Sequence, residues 1–158
     1  MTAILLTGMS GAGKSTVLLE LAFRGWSTVD TDLPEWIELA DERSPWPGER
    51  IWRERHMHRL LDAPRASPLA VAGTVRNQGM FSDRFDAIIL LSAPLDVMLD
   101  RVRRRTTNPF GRSESEQAAI ARDHEAVEPM LRAAASHEIA TTGSLDDVVA
   151  EVERIARV

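Results

Sequence analysis

Cysteine is absent from this chain of 158 residues, and no run of about 18 apolar residues occurs in it. Without thiols the chain can form no disulfide, no thiolate zinc site and no cysteine nucleophile. The apolar start at residues 3–7 is too short for a membrane span and lacks the basic flank of a secretion signal. We therefore expect a cytoplasmic protein that does not engage a membrane.

Lysine is also nearly absent. Of the 19 basic side chains all but one are arginine, and the exception is Lys14. Acidic side chains number 24, which gives a net charge of -5 and argues against a nucleic-acid partner. No internal repeat or low-complexity linker divides the chain, so we expect one domain over residues 1–158.

Short apolar runs alternate with longer segments of helical periodicity. The sequence predicts five strands, at residues 3–7, 26–30, 68–74, 86–92 and 138–142. It predicts helices over 14–24 and 95–105, and helices that begin after the capping residues Ser113 and Ser144. Residues 33–61 are predicted to be helical with an interruption at Pro45 and Pro47, most strongly over 48–61. This alternation is typical of a three-layer α/β fold, with helices on both faces of a parallel sheet.

Residues 8–15 satisfy the pattern G-x-x-x-x-G-K-[ST], through Gly8, Gly13, Lys14 and Ser15. The pattern lies directly after a buried strand and at the start of a helix, where a phosphate-binding loop has to lie. Backbone N–H groups of such a loop face the phosphates, the lysine reaches the β- and γ-phosphates, and the hydroxyl binds Mg²⁺. A compact ammonium fits inside the loop better than a planar guanidinium does. We therefore predict ATP and Mg²⁺ as cofactors, bound by Gly8, Met9, Ser10, Gly11, Ala12, Gly13, Lys14, Ser15 and Thr16.

Two further features restrict the class of P-loop protein. A guanine-reading N-K-x-D motif is impossible with one lysine, and the third predicted strand does not end in a metal-holding Asp. Acidic residues instead follow the second strand, as Asp30 and Asp32. Residues two apart on an extended strand face the same way, so we expect both carboxylates to point into one site. We predict that Asp30 holds Mg²⁺ through water and that Asp32 accepts a proton from a substrate hydroxyl. The alternative is that both are only loop or cap acids before a helix that starts near Pro34.

The chain resembles the shikimate kinases and the related nucleoside monophosphate kinases. The resemblance rests on the phosphate loop, the D-x-D and the segment G-E-R-I-W-R at residues 48–53, which is similar to the G-E-x-x-[FW]-R of shikimate kinases. It implies a sheet of order 2-3-1-4-5, an acceptor-binding region at about 33–62, a lid at about 106–114, and an Arg53 that binds a carboxylate of the acceptor. Helical spacing of Arg53, His56, Met57 and Leu60 would place this arginine on an inward face.

Further arginines are similar to those of the same families. Arg76 and Gln78 follow the third strand where nucleoside monophosphate kinases bind the acceptor. Arg101 and Arg104 precede the lid, and the resemblance implies a catalytic role for both and contact with adenine for Arg104. Asn108 occupies the place of the lid arginine of shikimate kinases, so that either Arg105 or Arg112 replaces it or the lid works differently in this chain.

The sequence thus predicts a kinase that transfers the γ-phosphoryl group of ATP to a small acceptor with an anionic group and a hydroxyl or phosphate. A nucleoside monophosphate kinase is the alternative within the same class. A regulatory module that binds ATP with little phosphotransfer is the alternative from another class. Phosphorylation of a nucleic-acid end or an antibiotic is a third possibility. The acceptor's identity and the choice between monomer and homodimer stay open.

Overall fold

The structure is a computed structural model and describes residues 1–106 and 109–157. Its strands are β1 (Ala3–Thr7), β2 (Ser27–Asp30), β3 (Ile37–Leu39), β4 (Arg50–Trp52), β5 (Leu69–Ala72), β6 (Ala87–Ser92) and β7 (His137–Ala140). Its α-helices are α1 (Lys14–Phe23), α2 (Glu54–Asp62), α3 (Leu95–Arg104), α4 (Glu114–Ala134) and α5 (Leu145–Ala156), and a 3₁₀ helix spans Gln78–Arg84.

Five parallel strands form the main sheet, in the order β2-β5-β1-β6-β7. Counted among these five strands alone, the order is 2-3-1-4-5, and the predicted α/β fold with a parallel sheet is confirmed. Successive residues of β1 point to opposite faces. Ile4 and Leu6 pack in the cluster that includes α1 and α5, whereas Leu5 packs in the cluster that includes α2 and the 3₁₀ helix. The sheet is therefore covered on both faces.

The prediction of helix over residues 33–47 is wrong. Residues 37–52 instead form a hairpin, in which β3 and β4 pair antiparallel with Ile37 opposite Trp52. Branched and aromatic side chains favour a strand here, and the prolines lie in the connecting loop. The predicted helix over 48–61 is also wrong in its first half, because α2 begins only at Glu54 and Arg53 is its N-cap. Arg53 consequently does not share a helical stripe with residues 56–60.

Two buried side chains fasten this hairpin to the main domain. Asn77 accepts a hydrogen bond from the Trp52 backbone N–H at 2.8 Å and donates one to the Trp52 carbonyl at 3.1 Å. The indole Nε1 of Trp52 donates to Thr31 Oγ1 at 2.9 Å. Both Trp52 and Asn77 are buried, so these bonds do not compete with water. The hairpin is thereby fixed beside the end of β2.

Sequence signals located the helix ends more reliably. Ser113 and Glu116 form the predicted capping box of α4, and Ser144 accepts a hydrogen bond from the Asp147 backbone N–H at the start of α5. Gly11 allows the loop after β1 to pack on α3, since its φ is +83° and a Cβ there would lie 2.5 Å from the Met98 carbonyl oxygen. No helix of the described residues combines the length and the apolar character that a membrane crossing requires.

We predict that Asn77→Ala lowers the free energy of unfolding by about 2–4 kcal/mol, because it leaves the N–H and the carbonyl of Trp52 buried without partners. Urea denaturation measures this change. Ser27→Ala is the control, since it removes an exposed hydroxyl that bonds only to Ser67, and it should cost less than about 0.5 kcal/mol. An Asn77→Ala variant as stable as this control would contradict the role given to Asn77.

Candidate active site

The phosphate loop, residues 8–15, connects β1 to α1 at the carboxyl edge of the sheet. Gly13 caps α1 with a φ of +103°, and α1 starts at Lys14 with no acidic residue in its first turn. The first N–H groups of a helix have no partner within the helix and carry a partial positive charge. The loop and the helix start therefore form a site for an anion such as a polyphosphate.

The Lys14 ammonium lies inside this loop. Its Nζ donates to the Gly8 carbonyl at 2.6 Å and to the Met9 carbonyl at 3.2 Å. Burial lowers the pKa of Lys14 below its ordinary value of 10.5, while the carboxylates of Asp32 and Asp30 act in the opposite direction. The structure thus brings the lysine and both predicted carboxylates into one electrostatic site.

Asp30 and Asp32 reach this site by a route different from the predicted one. The strand ends at Asp30, whose Oδ1 accepts the Asp32 backbone N–H at 3.0 Å, so the two acids flank a turn and do not share the face of an extended strand. The predicted helix near Pro34, which these acids would have capped, does not form, because a turn and a hairpin follow. The alternative in which both are only loop acids stays open. Thr31 between them is buried and donates to the Ala72 carbonyl at 2.7 Å.

Thr31 and Gly73 were not recognised from the sequence as parts of the site. Gly73 lies so close to Thr31 that a Cβ on it would be 2.1 Å from Thr31 Oγ1. The D-x-D turn is therefore packed directly against the end of β5 and against Trp52. The signals were present as a small polar residue between two acids and a glycine at a strand end, but neither pattern indicates its partner.

The side chains beside the loop fit a magnesium ion that arrives with a nucleotide. Ser15 is exposed in the first turn of α1, and Asp30 uses one carboxylate oxygen for a turn hydrogen bond, which leaves acceptor sites. The described residues contain no group of three histidines or acids that could hold a metal alone. Mg²⁺ commonly takes one or two protein oxygens and completes its octahedron with phosphate and water.

The two arginines predicted to bind an acceptor are each paired with an acid of the hairpin. Arg53 Nη1 lies 3.4 Å from Glu38 Oε2, and Arg76 Nε lies 2.5 Å from Glu49 Oε2. Their side chains are 42 % and 40 % exposed, so these ion pairs are open to solvent and to exchange with another anion. Their role toward an acceptor stays a prediction.

Gln78, the third residue predicted to bind an acceptor, has its amide engaged within the chain. Its Oε1 accepts the Val75 backbone N–H at 2.9 Å and its Nε2 donates to Thr7 Oγ1 at 3.2 Å. Gln78 thus connects the loop after β5 with the end of β1. Contact with an acceptor stays a prediction for this residue.

The arginines at the end of α3 differ sharply in their surroundings. Arg101 donates to the Gly11 carbonyl, to Thr141 Oγ1 and to the Thr141 carbonyl at 3.1, 2.9 and 2.6 Å. It joins the phosphate loop to the segment after β7. Arg104 pairs with Asp100 one turn earlier on α3 and its side chain is 80 % exposed.

Arg105, one of the two open choices for the lid arginine, interacts electrostatically with the site. Burial lowers the pKa of its guanidinium, and the Asp32 carboxylate opposes this change. Arg105 also bears on Lys14, whose pKa it lowers. Arg112 donates to the Arg105 carbonyl at 2.7 Å, which ties the lid together. Asn108 lies outside the described residues.

Comparison with known proteins places this arrangement in a family. A model of the AAA domain family matches residues 4–122, more than half of the chain. A nucleotide-binding protein of Sphingopyxis alaskensis is 32% identical over 96% of this chain and 48% of its own length. A shikimate kinase of Rhodopseudomonas palustris is 33% identical over 93% of this chain and 79% of its own length.

A solved structure of a shikimate kinase from Acinetobacter baumannii in complex with shikimate has the same fold, with a TM-score of 0.68 at 22% identity over 98% of this chain and 92% of that one. The chain spans about half the length of the curated nucleotide-binding proteins that it matches. The phosphate loop, the parallel sheet and these relatives agree with one another. The chain therefore belongs to the AAA domain family and to the P-loop small-molecule kinases that include its shikimate kinase relatives.

Proposed function

We propose that this chain transfers the γ-phosphoryl group of ATP to a hydroxyl of a small anionic acceptor. The observation that carries the proposal is the electrostatic proximity of Asp32 to Lys14, which joins a carboxylate able to accept a proton to a loop able to hold phosphates. The acceptor would lie between the D-x-D turn and the hairpin, within residues 33–62.

The reaction can be assigned to groups of the chain. Lys14 pairs with the β- and γ-phosphates, while its ammonium, which has three protons, keeps a hydrogen bond to the Gly8 carbonyl. Asp32 orients the acceptor hydroxyl and takes its proton as the oxygen bonds to the γ-phosphorus and the bond to the β-phosphate oxygen breaks. Bound Mg²⁺, held by Ser15 and through water by Asp30, would neutralise charge on the phosphates. The products are ADP and the phosphorylated acceptor.

Lid arginines would complete the site. Charge accumulates on the transferred phosphoryl group and on the leaving oxygen, so a guanidinium that closes over them stabilises the transition state and excludes water. Arg105 is the best candidate, because its charge already bears on Lys14 and Asp32. Arg101 is better described as a residue that holds the phosphate loop.

An anionic group on the acceptor is supported by Arg53 and Arg76. Guanidinium groups bind carboxylate and phosphate through two parallel hydrogen bonds. Glu38 and Glu49 occupy these guanidiniums in the absence of an acceptor, and exposed pairs of this kind contribute little stability. An acceptor with a carboxylate or phosphate can therefore replace them at small cost.

A second candidate function is a nucleotide-binding module with little phosphotransfer. The observation in its favour is that several relatives carry only the name nucleotide-binding protein and are about twice as long as this chain. A nucleoside monophosphate kinase has less support, since the Gln78 amide bonds to Val75 and Thr7 inside the chain.

Cytoplasmic location and the choice between monomer and homodimer stay predictions.

The two candidates differ in acceptor dependence. We predict that a panel of hydroxy acids, sugar acids, sugar phosphates and nucleoside monophosphates contains an acceptor that raises ADP release by the wild type well above the rate with ATP alone. Asp32→Asn should lower the acceptor-dependent rate by at least about 100-fold while Mg-ATP affinity changes little. Asp83→Asn, at an exposed site on the 3₁₀ helix, is the control. Full turnover by Asp32→Asn would refute the assignment, and no response to any acceptor would favour the binding module.

Lys14 gives a prediction that separates binding from stability. Lys14→Met should abolish Mg-ATP binding in calorimetry while the free protein stays at least as stable at pH 7, because methionine removes a charge whose burial is unfavourable. Arg24→Met, at the other end of α1, makes the same change in net charge and should bind normally.

The pH dependence of stability follows from the lowered pKa of Lys14. The folded protein releases this proton at a lower pH than the unfolded chain does, whose pKa is near 10.5. Between the two values the unfolded chain binds more protons, so the free energy of unfolding of the wild type rises with pH. The free energy of unfolding of Lys14→Met should therefore exceed that of the wild type by a margin that decreases as the pH rises through this window. A margin that stays constant or increases would contradict the lowered pKa.

Adjacent arginines provide a matched test of the lid. Arg105→Met should lower turnover by about 100-fold or more, because Arg105 interacts with Asp32 and Lys14. Arg104→Met should change it by less than about threefold, because Arg104 is 80 % exposed and pairs with Asp100. Acceptor-dependent ADP release measures both. Equal effects, or a larger effect at position 104, would return the adenine and catalytic roles to Arg104.

A further inference from the structure

Three polar side chains form a continuous hydrogen-bonded chain beneath the start of the phosphate loop. Thr7 ends β1, Thr74 follows β5, and Gln78 begins the 3₁₀ helix. Gln78 Nε2 lies 3.2 Å from Thr7 Oγ1, which lies 3.1 Å from Thr74 Oγ1. Thr74 Oγ1 in turn lies 2.6 Å from the Gly8 carbonyl oxygen and 3.2 Å from the Gly8 nitrogen.

The direction of every proton in this chain follows from its two ends. Gln78 Oε1 accepts the Val75 N–H, so the amide nitrogen is the atom that donates to Thr7. The Gly8 carbonyl can only accept, so the Thr74 hydroxyl spends its single proton there. Thr7 must therefore donate to Thr74. The side-chain donors run from Gln78 toward Gly8, the Gly8 N–H donates back to Thr74 Oγ1, and neither hydroxyl donates twice.

This hydrogen-bonded chain ends on the Gly8 carbonyl, which also accepts a hydrogen bond from Lys14. Gly8 O accepts from Thr74 Oγ1 and from Lys14 Nζ, both at 2.6 Å. The carbonyl has two acceptor sites, and the two donors fill them. The other end of the hydrogen-bonded chain is the Val75 N–H, next to Arg76 in the loop that faces the hairpin. The same few bonds thus connect the acceptor side of the molecule with the residue that contacts phosphate.

Burial makes these bonds hard to replace. Thr7 is fully buried and Thr74 and Gln78 are partly buried, so water cannot readily substitute for a lost partner. Thr74 follows the strand after which many P-loop proteins carry a metal-holding Asp. A neutral hydroxyl there can accept from the Gly8 N–H and donate to the Gly8 carbonyl, whereas a carboxylate could only accept.

We infer that Thr74, supported by Thr7 and Gln78, is a positioning residue that fixes the Gly8 carbonyl and with it the place of Lys14. The hydrogen bonds through Gln78, Thr7 and Thr74 hold the Val75–Arg76 loop in a fixed position relative to the phosphate loop. The inference rests on nucleotide binding at this loop, which is part of the proposed function, and does not depend on the acceptor.

The first test is nucleotide affinity. Thr74→Val keeps the shape and removes the hydroxyl, and it should weaken Mg-ADP binding about tenfold in calorimetry. Thr74→Ser should restore affinity to within about twofold of the wild type, which a role in methyl packing would not predict. Thr2→Val makes the same substitution at the other end of β1 and should bind normally.

Gln78→Leu provides a second variant at the other end of the hydrogen-bonded chain. It should also weaken Mg-ADP binding, and combined with Thr74→Val it should add little, because both changes interrupt one chain. Fully additive losses would show two independent effects and would overturn the inference, as would wild-type affinity in Thr74→Val.

A second test needs no nucleotide. Because Lys14 is the only lysine, protein labelled with ¹³C-lysine gives a single side-chain Cε resonance. We expect this signal to move in Thr74→Val and in Gln78→Leu, and to stay at its wild-type position in Thr74→Ser and Thr2→Val. An unmoved signal in the first two would overturn the positioning role. If the signal moves in these two variants as expected but the wild type binds no Mg-ADP, the positioning role stands and the proposed function is refuted.

Discussion

Parallel strands bring their carboxyl ends to one edge of the sheet, and the site of this protein depends on that constraint. The phosphate loop follows β1, the D-x-D turn follows β2, the segment with Thr74 follows β5, and Thr141 follows β7. Residues far apart in sequence therefore meet without any special long-range device. What remains for individual side chains is to fix the loops relative to one another, and most of the buried polar groups at this edge do that.

Two sets of hydrogen bonds fix loops at this edge. Trp52 and Asn77 hold the hairpin against the turn at Thr31, and Arg101 holds the phosphate loop against Thr141. Lys14, Asp32 and Arg105 belong to the same edge and are the groups that we propose to meet ligands. Arg101 donates to Gly11 and Thr141, whereas Arg105, four residues later, interacts electrostatically with Asp32 and Lys14.

The sequence was sufficient for the phosphate loop and the helix caps, because each depends on a local pattern with one structural solution, whereas the sheet order came from the resemblance to shikimate kinases. It failed over residues 33–53, where the strands are only three residues long and their pairing is fixed by Asn77 from a distant loop. The position of Asp30 and Asp32 at a strand end correctly predicted that both lie near Lys14. The expectation that they share one face of an extended strand was wrong, because the two acids flank a turn. Thr31, Thr74 and Asn77 carry no motif, since their role exists only once their partners are adjacent.

The solitary lysine has a consequence for chemical modification. Apart from the amino terminus, Lys14 is the only primary amine that a reagent can acylate. A lowered pKa leaves more of this amine uncharged, and therefore nucleophilic, at mildly alkaline pH than an exposed lysine would have. Acylating reagents should then modify the phosphate loop as well as the amino terminus, and a bound polyphosphate should shield Lys14, so that the mass increment on the peptide that contains Lys14 reports occupancy of the loop.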